Sequence, residues 1–268
     1  MIKLKQLLRE IQEKPKAIIM AGGAAVGKTT LLNKIGDALS GYEIINADKY
    51  VEDKASPMYN NLAAAASQIK KQDLPNAISA KKNFVYDTTA GSIKPVVELK
   101  GQLDANGYDT MMIMVYAHPA VSFLRNFSRE RKLPVGGVLT TWINVYSLID
   151  DYKRMFGKNF VAVQSSDLSP EEQKEVENFD AAVKNGTLKE YIQELKDRIG
   201  AKSTFNKTKV EDLTPEELEK KKKEWQKAKE KMDQSIEKIE SMFSQIQSTL
   251  IPDNISTGAA KVKQFSLV

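Results

Sequence analysis

The chain has 268 residues, 41% of them hydrophobic and 28% charged, enough for one globular domain of ordinary size with something added. It has no cysteine and a single histidine, His118. Disulfides, thiolate metal sites and histidine-based metal centres are therefore excluded, and the usual serine–histidine hydrolase machinery is argued against.

A net charge of +5 and a pI near 9.0 suit anionic substrates such as nucleotides. The excess is too small to argue for duplex nucleic acid by itself, so a nucleic-acid partner is left open but not favoured. No apolar run approaches the roughly 18 residues needed to cross a bilayer, and no membrane partner is expected. The opening stretch to Pro15 alternates charge with leucine and isoleucine, unlike a signal peptide. The expectation is a soluble, cytoplasmic protein.

In chain order, Ile2, Leu4, Leu7, Leu8 and Ile11 predict a short amphipathic helix over residues 2–13, stopped near Pro15. Residues 17–21 are a buried-strand run that ends in glycines. A helical pattern over 29–39 follows, stopped by Gly41, and then a second strand over 42–46. Residues 57–81 read as an alanine-rich helix, 83–86 as a third strand, 94–106 as a helix and 110–117 as a fourth strand. Helix resumes over 119–131. A Pro/Gly loop over 133–138, a candidate lid, leads to another helix over 139–156 and a fifth strand over 159–164.

Strands alternating with helices predict an α/β fold with a parallel five-stranded sheet covered on both faces, whose ligands sit at the carboxyl ends of the strands. Beyond residue 164 the character changes. Ser169-Pro170-Glu171-Glu172 and Thr214-Pro215-Glu216-Glu217 are two near-identical helix starts, each with a hydroxyl cap, a first-turn proline and a capping-box glutamate. Residues 170–199 predict one or two helices with a break at Asn185-Gly186. Residues 215–250 predict one long helix of roughly 50 Å. The tail after Pro252 shows no usable pattern. The expected organisation is a P-loop kinase domain over 1–168, helices over 169–205, and a long charged helix with its tail over 206–268.

Gly22-Gly23-Ala24-Ala25-Val26-Gly27-Lys28-Thr29 matches G-x-x-x-x-G-K-[ST] in full, with a strand before it and a helix after it. Such a loop curls its N–H groups inward around phosphate oxygens. Residues 22–30, Thr30 included, are the expected nucleotide-binding set. Lys28 reaches the β- and γ-phosphates of ATP, and the Thr29 hydroxyl holds Mg2+. A dinucleotide reading, with Asp48 as the ribose-binding acid, is disfavoured because such a loop needs no lysine.

Three further clusters follow strand ends. Asp48 suits a carboxylate that orients an attacking hydroxyl or takes its proton. Asp87, after an apolar strand, suits a second ligand to magnesium beside Thr29, and Thr88 and Thr89 add hydroxyls. Arg125, Arg129 and Arg131 suit a clamp on the phosphates that neutralises charge developing in transfer, although Arg129 and Arg131 cannot share one helix face. His118, Trp142 and Tyr146 read as structural.

AGGAAVGKTT (21–30), INAD (45–48), FVYDTTAG (84–91) and RNFSRERKLP (125–134) together resemble the P-loop kinases that include zeta toxins and polynucleotide kinases. The resemblance covers roughly residues 16–165. It implies a nucleotide-kinase sheet, an acceptor-serving aspartate at Asp48, and lid arginines in the 125–131 region. Zeta toxins phosphorylate UDP-N-acetylglucosamine and polynucleotide kinases a 5′ hydroxyl. The loop departs from both by carrying Ala24-Ala25-Val26 where those families often carry proline, glycine or serine. Residues 170–268 resemble nothing of this kind. Residues 1–11 resemble short helical leaders common in proteins of large tailed phages.

The leading expectation is an ATP-dependent kinase acting on a hydroxyl of a small molecule such as a nucleotide sugar, with a polynucleotide or nucleoside kinase as the alternative. A reading of another class is a nucleotide-binding assembly protein whose 215–250 helix docks a protein partner or a second copy. An ATPase motor is weaker, since Thr88 occupies the place of a water-polarising glutamate beside Asp87.

Overall fold

The computed structural model describes residues 14–59, 61–129, 132–199, 214–250 and 252–267. The helix expected over residues 2–13, and Arg131, lie outside them. Five strands form one parallel sheet: β1 (Lys16–Ala21), β2 (Glu43–Ile45), β3 (Phe84–Asp87), β4 (Asp109–Tyr116) and β5 (Phe160–Gln164). Their order is β2-β3-β1-β4-β5. The uninterrupted apolar runs of β1 and β4 belong in the middle, where both faces are covered, and all six residues of β1 are buried. β2, with only Ile45 buried, is an edge.

The connecting helices are α1 (Lys28–Lys34), α2 (Asp48–Val51), α3 (Leu62–Gln68), α4 (Leu74–Ser79), α5 (Ile93–Ala105), α6 (Pro119–Ser128), α7 (Val135–Tyr146) and α8 (Ile149–Phe156). Several bounds differ from the sequence expectation for local reasons. α1 stops before Gly36, and a 3-10 turn completes the stretch to Leu39. The helix expected over 57–81 is interrupted by a π turn at Ile69–Asp73. Pro75 lacks an N–H for the ladder, and the widened turn just before it accommodates the ring. The expected lid is not a loop: α7 begins at Val135, and Leu133 is pinned because the Asn126 side chain donates to its carbonyl and accepts from its N–H.

α9 (Pro170–Asn185), α10 (Leu188–Ile199), α11 (Pro215–Thr249) and α12 (Ile255–Leu267) complete the chain. Both capping boxes form, at Ser169 with Glu172 and at Thr214 with Glu217. The second half of α11 folds back on its own chain across α7. Ile236, Ile239, Phe243, Ile246 and Leu250 are buried there, and Thr140 meets Ser235 hydroxyl to hydroxyl at 3.0 Å. Phe243 stacks among His118, Phe179 and Trp142 at ring distances of 5.2, 5.4 and 5.9 Å.

The patternless tail is a helix. Asp253 extends the β5 edge by one bridge, donating to the Ala162 carbonyl and accepting from Gln164 N–H. α12 then lies against β5, and the Lys16 ammonium donates to the Ser266 carbonyl near its C-terminus at 2.9 Å. Gly258 touches the sheet so closely that a Cβ there would sit 2.5 Å from Val163 Cγ2. Gly258→Ala should therefore lower the thermal unfolding temperature by overpacking, although alanine is intrinsically the better helix former by about 1 kcal/mol. An unchanged or raised temperature would place α12 elsewhere.

Candidate active site

The loop between β1 and α1 is shaped by backbone conformations that its residues can just hold. Gly27 has φ +93°, and a Cβ there would lie 2.5 Å from the Ser165 hydroxyl. Ala25 takes φ +58° without the freedom of glycine. The Lys28 ammonium curls back over the loop, donating to the Gly22 and Gly23 carbonyls at 3.1 and 3.3 Å. It lies 3.9 Å from Asp87 Oδ1. Burial pulls the Lys28 pKa down, and Arg129 pulls the same way, while the charges of Asp87 and Asp48 oppose the shift.

Asp87 ends β3 next to β1, since Met20 is its register partner. Its Oδ1 is buried and makes no hydrogen bond among the described residues. Burial raises its pKa, as does the charge of Asp48, whereas Lys28 and a hydrogen bond from Asn46 lower it. Asp48 opens α2 just beyond β2. Thr29 and Thr30 are exposed in the first turn of α1. The structure thus brings Lys28, Asp48, Asp87 and Arg129 together at one mouth.

The arginines separate. α6 ends at Ser128, and Arg129 has an extended backbone with ψ 151°, so Arg125 and Arg129 do not share a helix face. Arg125 is held on the side of Gly27 that a Cβ would occupy. Its Nε donates to Glu172 at 2.8 Å, Nη1 to the Ser165 hydroxyl at 2.9 Å and Nη2 to the Ser166 hydroxyl at 2.7 Å. Ser165 in turn donates to the Val26 carbonyl at 2.8 Å. A chain of contacts therefore runs from Glu172 at the start of α9 through Arg125 to the loop.

Burial would raise the Glu172 pKa, but the donations from Arg125 and from the Ser169 backbone hold it below its ordinary value. A carboxylate depressed in this way stabilises the fold above its unfolded pKa, about pH 4.3. The contribution fades as pH falls through the lower folded value. The thermal stability difference between wild type and Glu172→Gln should be present at neutral pH and vanish in acid below that range. A difference independent of pH would show that the ionised brace contributes nothing.

Sequence reading missed Thr141, whose hydroxyl accepts from the Ala24 N–H at 3.2 Å and donates to the Val138 carbonyl. It also missed Ser165 and Asn46; of these only Asn46, inside the INAD segment, carried a signal. His118 is structural as expected. Its Nδ1 accepts the Ala120 N–H at the start of α6, so Nε2 carries the proton and faces Asp180 at 3.1 Å. Burial lowers its pKa. Trp142 and Tyr146 are buried and donate to the Ala117 and Val115 carbonyls. A cavity of about 380 Å³ opens beside the loop, between β1, β3, α5 and α7.

The sequence model of the Zeta toxin family matches residues 3–138, just over half of the chain. The chain belongs to the zeta toxin family. Membership of the zeta toxins places it among kinase-like phosphotransferases. Solved structures to which the zeta-toxin-like chain is similar include the PezAT chromosomal toxin–antitoxin system of Streptococcus pneumoniae, at 15% identity over 69% of this chain and 93% of that one, TM-score 0.43. A gluconokinase from Sinorhizobium meliloti 1021 is 15% identical over 67% and 98%, TM-score 0.33. The AvrRxo1-ORF1:ORF2 complex is 12% identical over 96% and 82%, TM-score 0.45. Likenesses this distant say nothing of activity. A search of curated proteins gave no match. No helix among the described residues is long and apolar enough to cross a membrane.

Proposed function

We propose that the protein transfers the γ-phosphoryl group of ATP to a hydroxyl of a small molecule. The observation that carries this reading is the grouping around Lys28: two carboxylates from separate strand ends, Asp48 and Asp87, and one further cation, Arg129, all within electrostatic reach of the loop lysine. A loop that merely bound a nucleotide would need the lysine and a magnesium-side carboxylate. It would not need a second acid whose charge reaches both.

In this reading the loop N–H groups between residues 22 and 30 hold the triphosphate, except those of Gly22 and Ala24, which already donate to Thr89 and Thr141, and Lys28 leaves the Gly22 and Gly23 carbonyls for the β- and γ-phosphate oxygens. The acceptor oxygen forms a bond to the γ-phosphorus as the bond to the β,γ-bridging oxygen breaks, and ADP departs with that electron pair. The acceptor's proton passes to the Asp48 carboxylate. Lys28 and Arg129 balance the charge on the transferring group, and catalysis is mainly positioning and charge stabilisation. Arg125, with each of its three nitrogens bonded to Glu172, Ser165 or Ser166, fixes the loop's shape through Ser165.

The residues fit a magnesium ion. A buried Asp87 oxygen without a hydrogen bond and the exposed Thr29 hydroxyl flank the loop. Among the described residues no cluster of three or more acids or histidines forms an all-protein cage, as suits an ion held largely by phosphates and water. When bound, magnesium supplies charge neutralisation on the β- and γ-oxygens.

The test is transfer of label from ATP to a panel of nucleosides, nucleotide sugars, 5′-hydroxyl oligonucleotides and proteins. Transfer to a small molecule that is lost in Lys28→Ala supports the reading. Transfer to none of them, with ATP bound all the same, would favour a nucleotide-binding assembly protein.

A further inference from the structure

The cavity beside the loop has a composition that bears on the acceptor. Thr88, Thr89, Ser92 and Thr141 bring hydroxyls to it, and Asn144 an amide. Its floor is apolar, built from Ile19, Val96 and Leu99. Among the described residues, no aspartate, glutamate, lysine, arginine or histidine lines it. It also adjoins the phosphate loop at two points. Gly22 N–H donates to the Thr89 carbonyl at 3.3 Å, and Ala24 N–H to the Thr141 hydroxyl. Tyr86 and Thr88 flank Asp87 in sequence and both line the cavity, so the lining lies beside that carboxylate.

A phosphate placed in such a lining would give up part of its hydration and find no counter-charge among the described residues. A neutral ring would not. Its hydroxyls or amide would meet the polar rim and its apolar face the floor, the usual division of labour in a small-molecule site of a few hundred cubic ångströms. The hydroxyl nearest the loop would then lie on the side of the γ-phosphate.

We propose that this cavity is the acceptor subsite and that it takes an uncharged, polyhydroxylated ring, a sugar or the sugar of a nucleoside, in preference to a phosphorylated one. The proposal rests on the phosphotransferase reading and narrows it. It departs from the nucleotide sugar that the zeta-toxin resemblance implies, because a diphosphate inside the cavity meets no cation among the described lining residues. Thr141, which touches both the cavity and the loop, is the residue through which a filled subsite is felt at the Ala24 amide.

The experiment compares matched pairs: N-acetylglucosamine with UDP-N-acetylglucosamine, and uridine with uridine monophosphate. Each is tested as acceptor with wild type, Ser92→Trp and Asn144→Lys. Ser92 caps α5 without a side-chain bond, so the bulky residue narrows the mouth at little structural cost. The neutral member of a pair should have the higher kcat/KM. Ser92→Trp should raise its KM roughly tenfold or more, with ATP affinity unchanged. Asn144→Lys should move preference toward the phosphorylated member.

Preference for the phosphorylated member in wild type overturns the proposal. So does transfer whose acceptor KM ignores Ser92→Trp, and in that case the phosphotransferase reading survives alone. Absence of transfer to these four and to the wider panel above sinks the phosphotransferase reading, and the cavity is then judged by ligand-observed NMR with N-acetylglucosamine and uridine beside a non-hydrolysable ATP analogue. Binding that Ser92→Trp removes keeps the cavity as a neutral-ring site, and no binding overturns it.

Discussion

Lys28→Ala is expected to lower phosphoryl transfer by roughly 10³-fold or more, on the scale of removing a preorganised donor from a developing anion. Two effects add. The variant loses the ammonium that spans the β- and γ-phosphates. It also leaves Asp87, a buried carboxylate whose nearest cation is 3.9 Å away, with no positive neighbour from the loop. The incoming triphosphate then meets an uncompensated acid. ATP affinity should fall with the rate. Lys28→Arg should not rescue it, because the space between the Gly22 and Gly23 carbonyls holds a compact ammonium and a planar guanidinium needs a wider fork. Circular dichroism on the free variants shows whether they fold, and label transfer with ATP titration gives the rest. A folded Lys28→Ala that transfers within tenfold of wild type would remove the loop lysine from the mechanism.

The phosphate loop was legible because its information is contiguous: glycines for the curl, lysine and threonine at fixed offsets, an apolar strand before and an amphipathic helix after. The sheet was legible for a similar reason. Runs such as AIIMA and TMMIMVY need cover on both faces, and only central parallel strands give it. What surrounds the loop was not legible. Thr141 and Ser165 reach it from 117 and 139 residues away, and Asp180 reaches His118 from 62. Nothing local marks a serine or threonine as one that will meet a distant amide.

The arginine cluster shows how a boundary error propagates. A helix continued to residue 131 puts Arg125 and Arg129 on one face, whereas a helix ended at Ser128 separates them, leaving Arg129 within electrostatic reach of Lys28 and Arg125 to Glu172 and the serines. The loop expectation for 133–138 failed in the same way. Proline and glycines at 134–137 read as a loop, yet Pro134 is the N-cap of α7, and Gly136 leaves room for Met232 of α11, which would lie 3.4 Å from a Cβ there. Glycine there serves close packing of one helix on another, a use that looks like a turn signal until the partner is known.

Asp48→Asn should show the opposite split from a loop mutation: kcat lower by about 10²- to 10⁴-fold, the range for loss of a general base, with ATP binding intact. The amide matches the carboxylate in shape, so the start of α2 is preserved, but it cannot take the acceptor's proton. Removing this charge should even help the nucleotide. Asp48 raises the pKa of Asp87, which shows that its negative field reaches the carboxylate beside the triphosphate site. ATP affinity is therefore expected to stay level or tighten. Asp87→Asn should instead raise the magnesium concentration needed for half-maximal transfer, since the buried oxygen that fits the ion is lost. Single-turnover transfer and ATP titration separate the two acids. If Asp48→Asn turns over normally, or if both variants lose magnesium dependence alike, then the carboxylates act as one metal-side pair and proton removal from the acceptor falls to water.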